Sequence, residues 1–171
     1  IAAWHWYANS STRLSVEGYL QRLLNVPVET SDPTSTYWML NYSDGFPDFL
    51  VSSQGKGRNT GLDISAEKKF AGRWFFLLTG SALSAKFKLP GGKWYTGRFD
   101  TRFSSSATVA KEFALKKGGI LQVGGRMLYS GGFRYTPYDP VLSVEEGKYV
   151  PLAGAEYSAQ VAAYKRLDMR I

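Results

Sequence analysis

The chain has 171 residues, of which 44% are hydrophobic and 15% aromatic, and it is long enough for one ordinary domain. It has no cysteine and a single histidine, His5, which excludes disulfides, cysteine-based metal sites and histidine-clustered metal sites. Its net charge of +7 comes from basic residues scattered beside acids, so nucleic-acid binding is not indicated. The sequence begins at Ile1 without a methionine or signal peptide, which indicates a processed or excerpted segment.

Alternation of apolar and polar residues predicts β-strands along most of the chain. The clearest case is the segment 62–70, where Leu62 and Ile64 belong to an apolar series and Asp63 and Glu67 to a charged one. The same period of two recurs around 13–21, 98–113, 121–129 and 164–171. The stretches 1–8 and 74–87 are also predicted to be strands, but their faces cannot be assigned from the pattern.

The connections between these strands alternate between short and long. Tight turns are predicted at 9–12, 71–73 and 116–119, where polar and glycine residues favour chain reversal. Long connections are predicted at 25–57, 89–97 and 133–160, with a helical turn in 143–150. The sequence therefore predicts an all-β chain of about seven strands in an antiparallel up-and-down meander. Short turns at one end and long loops at the other are typical of outer-membrane barrels.

Two environments fit this alternation. In a soluble sandwich or barrel the charged face is the solvated exterior, whereas in a membrane barrel the apolar face contacts lipid. The length of the strands favours the membrane, as do the aromatic residues near their ends: Phe70, Trp74, Trp94, Phe113 and Tyr129. A charge on the lipid face at the midplane costs about 2–4 kcal/mol, and the apolar series carries charge mainly near the turns, at Lys68 and Lys111.

Five stretches in order resemble the barrel of a TonB-dependent outer-membrane receptor of the kind abundant in Bacteroidetes. They are "GRNTGLDISAEKKF", "WFFLLTGSALSAKF", "TRFSSSATVAKEF", "GGFRYTPYD" and "YKRLDMRI". The resemblance runs from about Trp4 and is strongest from Gly57 onward. It implies a large barrel in the outer membrane of a Gram-negative bacterium, with short periplasmic turns and long extracellular loops. Such a barrel imports a scarce nutrient (a siderophore, a vitamin, or a glycan or peptide) past a plug domain, using energy delivered by TonB.

About seven strands cannot close a barrel of this kind, which has 22 strands and a plugged lumen. The resemblance therefore implies that residues 1–171 are a late portion of the barrel, with the plug domain, the TonB-contact segment and the final barrel strands absent. Its partners would be outer-membrane lipid, TonB and the plug through those missing segments, and in some relatives a surface lipoprotein. A plug-free outer-membrane channel and a soluble β-sheet binding module such as a lectin remain the alternatives.

The resemblance also implies that the charged series faces the lumen, where it docks the plug or lines a path for polar substrate. These residues are Glu17, Asp63, Glu67, Lys69, Arg98, Asp100, Arg102, Glu112, Arg126, Arg166, Asp168 and Arg170. The alternative for each is a structural cross-strand pair worth about 0.2–1 kcal/mol.

The long connection 25–57 is rich in aromatic and acidic residues that could stack on a sugar or an aromatic siderophore. The candidates are Tyr37, Trp38, Tyr42, Asp44, Phe46 and Asp48. The alternative is a loop that packs on its own side chains.

No nucleophile–base–acid set, metal site or cofactor motif is visible, and His5, between Trp4 and Trp6, is interpreted as an interfacial residue. The sequence therefore predicts a protein that is not an enzyme.

Overall fold

The computed structural model describes residues 1–32, 35–42, 45, 47–116 and 118–171. It is all-β, with 62% of residues in strands and 6% in helices. The elements, in chain order, are β1 (Ala2–Asn9), β2 (Thr12–Glu29), a 3₁₀ turn (Met39–Asn41), β3 (Val51–Ala71), β4 (Trp74–Lys88), β5 (Trp94–Thr96), β6 (Phe103–Ala114), β7 (Ile120–Ser130), β8 (Arg134–Tyr135), α1 (Pro140–Glu146), β9 (Ala159–Gln160) and β10 (Tyr164–Arg170).

The main sheet follows the order β1-β2-β3-β4-β6-β7-β10, and each strand is antiparallel to its neighbours. The short strand β5 pairs with the end of β4, and β8 pairs with β9 as a separate ribbon. The predicted all-β antiparallel meander is therefore confirmed. The sheet is open: within the described residues, β1 and β10 each have a hydrogen-bonded neighbour on one side only.

The cross-strand register assigns every main strand to the same two faces of the sheet. Leu14, Ala66 and Leu78 lie opposite one another on one face, and Ser15, Ser65 and Thr79 lie opposite one another on the other. We call these the apolar face and the polar face. The register also resolves the two strands that the pattern left open: Trp4, Trp6, Trp74, Phe76 and Leu78 belong to the apolar face, and His5, Leu77 and Thr79 belong to the polar face.

The buried core lies at the long-loop end of the sheet, on the polar side. It consists of Val26, Val28, Trp38, Phe87 and Tyr157. The Trp38 ring stacks on Phe87 with centroids 5.3 Å apart, and it lies flat on β3 because glycines occupy positions 55 and 57. A Cβ at Gly57 would lie 3.1 Å from the Trp38 ring, which is tighter than ordinary packing contacts. The segment 35–42, which carries Trp38, is thus folded back over the end of the polar face.

The strand limits differ from those predicted at three places. β2 ends at Glu29 and β3 begins at Val51, so the long connection between them is shorter than the predicted 25–57. β6 begins at Phe103, not at residue 98, because Arg102 has a positive φ of 65° that interrupts the extended backbone. Arg98, Asp100 and Arg102 therefore lie in the loop before β6, and the prediction that they belong to a strand is wrong.

The helix in the last long connection is Pro140–Glu146 and begins earlier than the predicted turn in 143–150. Its start is fixed by Asp139, whose Oδ1 accepts the backbone N–H groups of Val141 and Leu142 at 3.0 and 3.1 Å. It ends at Gly147, which has a left-handed φ of 61°. Among the described residues, no helix has both the length and the hydropathy needed to span a membrane.

Candidate functional site

The acidic half of the polar face lies on β2 and β3. Arg13 Nη2 and Glu67 Oε2 are 3.2 Å apart across the two strands. Glu17 and Asp63 lie directly opposite each other, so two carboxylates are neighbours on β2 and β3. Asp63 accepts a hydrogen bond from the Ser81 hydroxyl on β4. This pair gives the polar face a locally negative region. Like charges that face each other across strands are destabilising.

The basic half of the polar face lies on β7 and β10. Arg166 Nε donates to Asp168 Oδ1 at 2.8 Å, two residues along the same strand. Asp168 lies directly opposite Arg126 on β7, and Arg170 lies opposite Gly124. The polar face is thus acidic on one side and basic on the other, with a neutral Ser and Thr region between them where Thr79 and Ser106 share a 2.9 Å hydrogen bond.

Most of the predicted lumen-facing residues share this face. The register and strand periodicity bring together Glu17, Asp63, Glu67, Lys69, Glu112, Arg126, Arg166, Asp168 and Arg170. Arg98, Asp100 and Arg102 are not among them, because the loop after β5 carries them to the long-loop end. What this shared face contacts in the intact protein stays a prediction.

The loops at that end are joined by a buried ion pair. Arg134 Nε lies 3.7 Å from Asp100 Oδ1, and the two side chains are only 7% and 5% exposed. Asp100 Oδ2 also accepts the backbone N–H of Ala85 at 2.9 Å, and Arg134 Nη1 donates to the Tyr157 carbonyl at 3.4 Å. Charges this well buried persist only when they are paired. The ion pair therefore holds the loops 97–102 and 131–163 against the end of β4.

A second set of polar contacts joins the 3₁₀ turn at Asn41 to the same cluster. The Asn41 side-chain oxygen accepts the Arg98 backbone N–H at 2.9 Å, and Arg98 Nη1 donates to the Asn41 carbonyl at 3.2 Å. Burial of the Tyr157 hydroxyl, with the nearby Tyr42 as a smaller contribution, raises the pKa of Tyr157 well above its ordinary value. Tyr157 therefore stays neutral and can both donate and accept a hydrogen bond.

A cavity of about 700 Å³ opens between these loops. Its lining combines aromatic rings, hydroxyl groups and a guanidinium group: Tyr42, Arg98, Phe133, Tyr135, Tyr149 and Tyr157 are among its residues. A cavity of this size fits a small organic molecule. Aromatic faces can stack on a flat or sugar-like ligand, and the hydroxyl and guanidinium groups can fix its orientation by hydrogen bonds.

The predicted substrate-loop residues divide into three groups. Tyr37 stacks on Tyr42 with centroids 4.8 Å apart and meets Phe49 edge-on, so these rings form a small cluster, and the exposed Asp48 borders the groove beside it. Trp38 is only 3% exposed and belongs to the core, where it stacks on Phe87, and a contact of this ring with a ligand stays a prediction. Asp44 and Phe46 lie outside the described residues.

Sequence reasoning missed Asn41, Arg134 and Tyr157. The one available signal was the glycine pair before Arg134. A Cβ at Gly131 would collide with the Thr101 carbonyl, and one at Gly132 would collide with that of Val161. The two glycines thus mark the place where three loop segments approach one another closely, and buried polar groups collect there.

Within the described residues, no group of three or more histidine, cysteine or acidic side chains is arranged to hold a metal ion. Comparison of the chain with protein-family models, with curated proteins and with solved structures finds no match.

Proposed function

We propose that this chain is part of the wall of a TonB-dependent transporter in the outer membrane of a Gram-negative bacterium. In this proposal the apolar face of the sheet contacts lipid, and the polar face lines a lumen that a plug domain fills. The transporter imports a scarce nutrient such as a siderophore, a vitamin, a glycan or a peptide. Its short turns point to the periplasm and its long loops to the outside.

The observation that carries this proposal is an apolar face against which no other part of the described chain packs. Leu62 and Ile64 at the centre of β3 are 46% and 45% exposed, and Leu167 and Met169 on β10 are 71% and 82% exposed. A continuous apolar surface of this extent is unusual on a soluble monomer and marks a membrane or protein contact. The described part of the chain places its core on the opposite face, at the loop end.

The height of the apolar band also supports a bilayer. On β3 the apolar face is bounded by Arg58 towards the loops and Lys68 towards the turns, with Leu62 and Ile64 between them. The distance along the strand from residue 58 to residue 68 is roughly 33 Å. A tilt of 35–45° reduces it to roughly 23–27 Å, which is close to the apolar band of outer-membrane barrels.

Aromatic and basic residues meet at both limits of this band. Towards the turns, Lys111 Nζ lies 4.6 Å from the centre of the Trp74 ring. Towards the loops, the Arg58 guanidinium lies 5.4 Å from the Trp94 ring, and Lys165 Nζ lies 5.6 Å from that of Tyr129. Aromatic girdles with basic side chains that reach the headgroups are expected at the two interfaces of a membrane barrel.

The loop cavity supports the uptake role. It lies at the same end as the loops that would face the outside, and it opens on the polar side of the sheet, next to the buried Asp100–Arg134 pair. A ligand that binds there would be held at the entrance of the proposed lumen. The mix of tyrosine rings and Arg98 suits a polar ligand with flat or ring-shaped parts.

The direct test is genetic. In the bacterium that carries the gene, the proposal predicts that deleting the gene and deleting tonB give the same growth defect on one limiting nutrient. The protein should fractionate with the outer membrane. Uptake that persists without tonB would favour a plug-free channel, and a protein recovered folded in the soluble fraction would favour a soluble binding module. Either result would contradict the proposal.

A further inference from the structure

A second concavity lies on the polar face, at the short-turn end of the sheet. Its floor is one row of residues that lie side by side: Phe75 on β4 opposite Ala110 on β6, which is opposite Gly124 on β7 and then Arg170 on β10. Lys69 on β3, where the register between β3 and β4 becomes irregular, also lines this concavity. Together with their neighbours these residues enclose about 550 Å³. We call this row and the space above it the trough.

The trough exists because its middle positions carry almost no side chain. Gly124 has none and Ala110 has a single methyl group, and a Cβ at Gly124 would lie 3.3 Å from the Ala110 Cβ. One wall is the ring of Phe75, which is stacked on Phe70 with centroids 5.5 Å apart and is therefore held in place. The part of the floor between Phe75 and Gly124 is apolar, although it lies on the polar face, so it offers a seat for an apolar side chain.

The rim of the trough is positively charged. Among the described residues, the cationic groups of Lys69, Arg126 and Arg170 are in no ion pair. The one acid in the lining, Asp168, is paired with Arg166 on the same strand, with Arg166 Nε 2.8 Å from Asp168 Oδ1. An occupant that fits this rim carries negative charge.

The spacing of the rim decides between a small anion and a polypeptide. Lys69 and Arg170 lie four strand spacings apart, which is about 19 Å across the sheet. A single carboxylate can reach Arg126 and Arg170, which are diagonal neighbours on β7 and β10, but it cannot reach Lys69 as well, whereas an extended chain can contact all three. We propose that the trough docks an acidic polypeptide segment that lies across the strands, seats one apolar side chain between Phe75 and Gly124, and extends carboxylates to the cations at either end.

This inference goes beyond the proposed function, because the trough is defined by the polar face alone and needs no lipid on the other side. The probe is a fluorescent, end-capped peptide in which two aspartates about six residues apart flank a central phenylalanine, a spacing that matches the trough for an extended chain. We expect saturable binding to the full chain folded in detergent micelles, measured by fluorescence anisotropy. Raising the salt concentration should weaken it.

Two kinds of variant test the contacts. Lys69→Gln and Arg170→Gln should each weaken binding about tenfold, since each removes one charge-assisted contact. Gly124→Leu fills the trough and should abolish binding. The matched controls are Lys165→Gln, on the opposite face of β10, and Gly80→Leu, on the opposite face of β4, where an added Cβ would have no neighbour within 4 Å. Both controls should bind like the parent.

Three results would overturn the inference. The first is no saturable binding of the peptide by the parent chain. The second is equal loss of binding in the Gln variants and in Lys165→Gln, which would indicate a nonspecific charge effect. The third is phenylacetate binding as tightly as the peptide and displacing it, which would make a small anion the occupant. None of these results depends on whether the apolar face contacts lipid, so failure here is distinct from failure of the proposed transport role.

Discussion

The long-loop end and the middle of the sheet are built on opposite principles. At the loop end, Val28, Trp38 and Phe87 are buried beneath folded-back loops, and a buried ion pair joins those loops together. In the middle of the sheet the apolar residues are exposed on one face, and polar residues pair across strands on the other. One end thus has the dry core of a water-soluble protein, while the middle has none.

This difference indicates where stability comes from in each region. The loop end gains free energy from burial within its own chain, and it should be stable in water or detergent alike. The middle depends on backbone hydrogen bonds between strands and on whatever covers its apolar face. Substitutions in the two regions should therefore respond differently to the surrounding solvent.

The largest effect is expected from Phe87→Ala at the loop end. Phe87 is 1% exposed and contacts Trp38, Tyr95 and Tyr157, so removing its ring should lower the free energy of unfolding by about 3–5 kcal/mol. The measurement is chemical denaturation of the chain in detergent, followed by tryptophan fluorescence. Phe113→Ala, on the apolar face, is the matched control and should cost less than half as much. Equal losses would contradict a distinct core at the loop end.

A loss of about 3–5 kcal/mol is also expected from Asp100→Ala, because it leaves the buried Arg134 guanidinium without its partner. Limited proteolysis should then cut the loop 131–163 faster, which reports local opening. The double variant Asp100→Ala with Arg134→Met removes both charges and should recover most of the stability. If the double variant is as unstable as the single one, the ion pair is not what holds the loops.

A smaller effect, which depends on the solvent, is expected from Ile64→Arg in the middle of the apolar face. In lipid bilayers it should cost about 2–4 kcal/mol, the cost of a midplane charge on a lipid-facing position. Ser65→Arg, the adjacent residue on the polar face, is the control and should cost less than about 1 kcal/mol. Both are measured by equilibrium unfolding in vesicles. An equal loss of unfolding free energy in the two variants would contradict the proposal that only the apolar face contacts lipid.

The smallest effect is expected from Arg13→Gln, which breaks the cross-strand pair with Glu67. The two side chains are 45% and 26% exposed, so solvent screens their attraction, and the loss should be about 0.2–1 kcal/mol. High salt should reduce the difference between the variant and the parent. A loss above about 2 kcal/mol would mean that the polar face is much less hydrated than its exposure indicates.

The sequence predicted the sheet well because successive side chains of a strand point to opposite faces. Where one face is apolar and the other polar, the residue order shows a strict period of two. The assignment of Leu62 and Ile64 to one face and Asp63 and Glu67 to the other follows from residue order alone, and the register agrees. Between residues 74 and 87 the pattern was ambiguous, because Phe75 and Leu77 on the polar face are also apolar. Only the pairing with β3 and β6 assigns those side chains.

The loop end was predicted poorly because its contacts join residues far apart in the chain. The alternation of Arg98, Asp100 and Arg102 resembled that of a strand. The structure places them in a loop, because the backbone is left-handed at Arg102 and Asp100 forms an ion pair with Arg134. For Trp38 the sequence left open whether the ring stacks on a ligand or packs within the protein, and its burial depends on the glycines of β3. Neither effect leaves a periodic signal.

The proposed function requires that the apolar face contacts lipid while the polar face contacts water. Spin labels placed singly at residues 62, 63, 64 and 65 in bilayers test it directly, by comparing collisions with oxygen, which dissolves in lipid, and with a water-soluble nickel complex. We expect alternation: oxygen access is high at 62 and 64, and nickel access is high at 63 and 65. Equal access of the nickel complex at all four positions would contradict it.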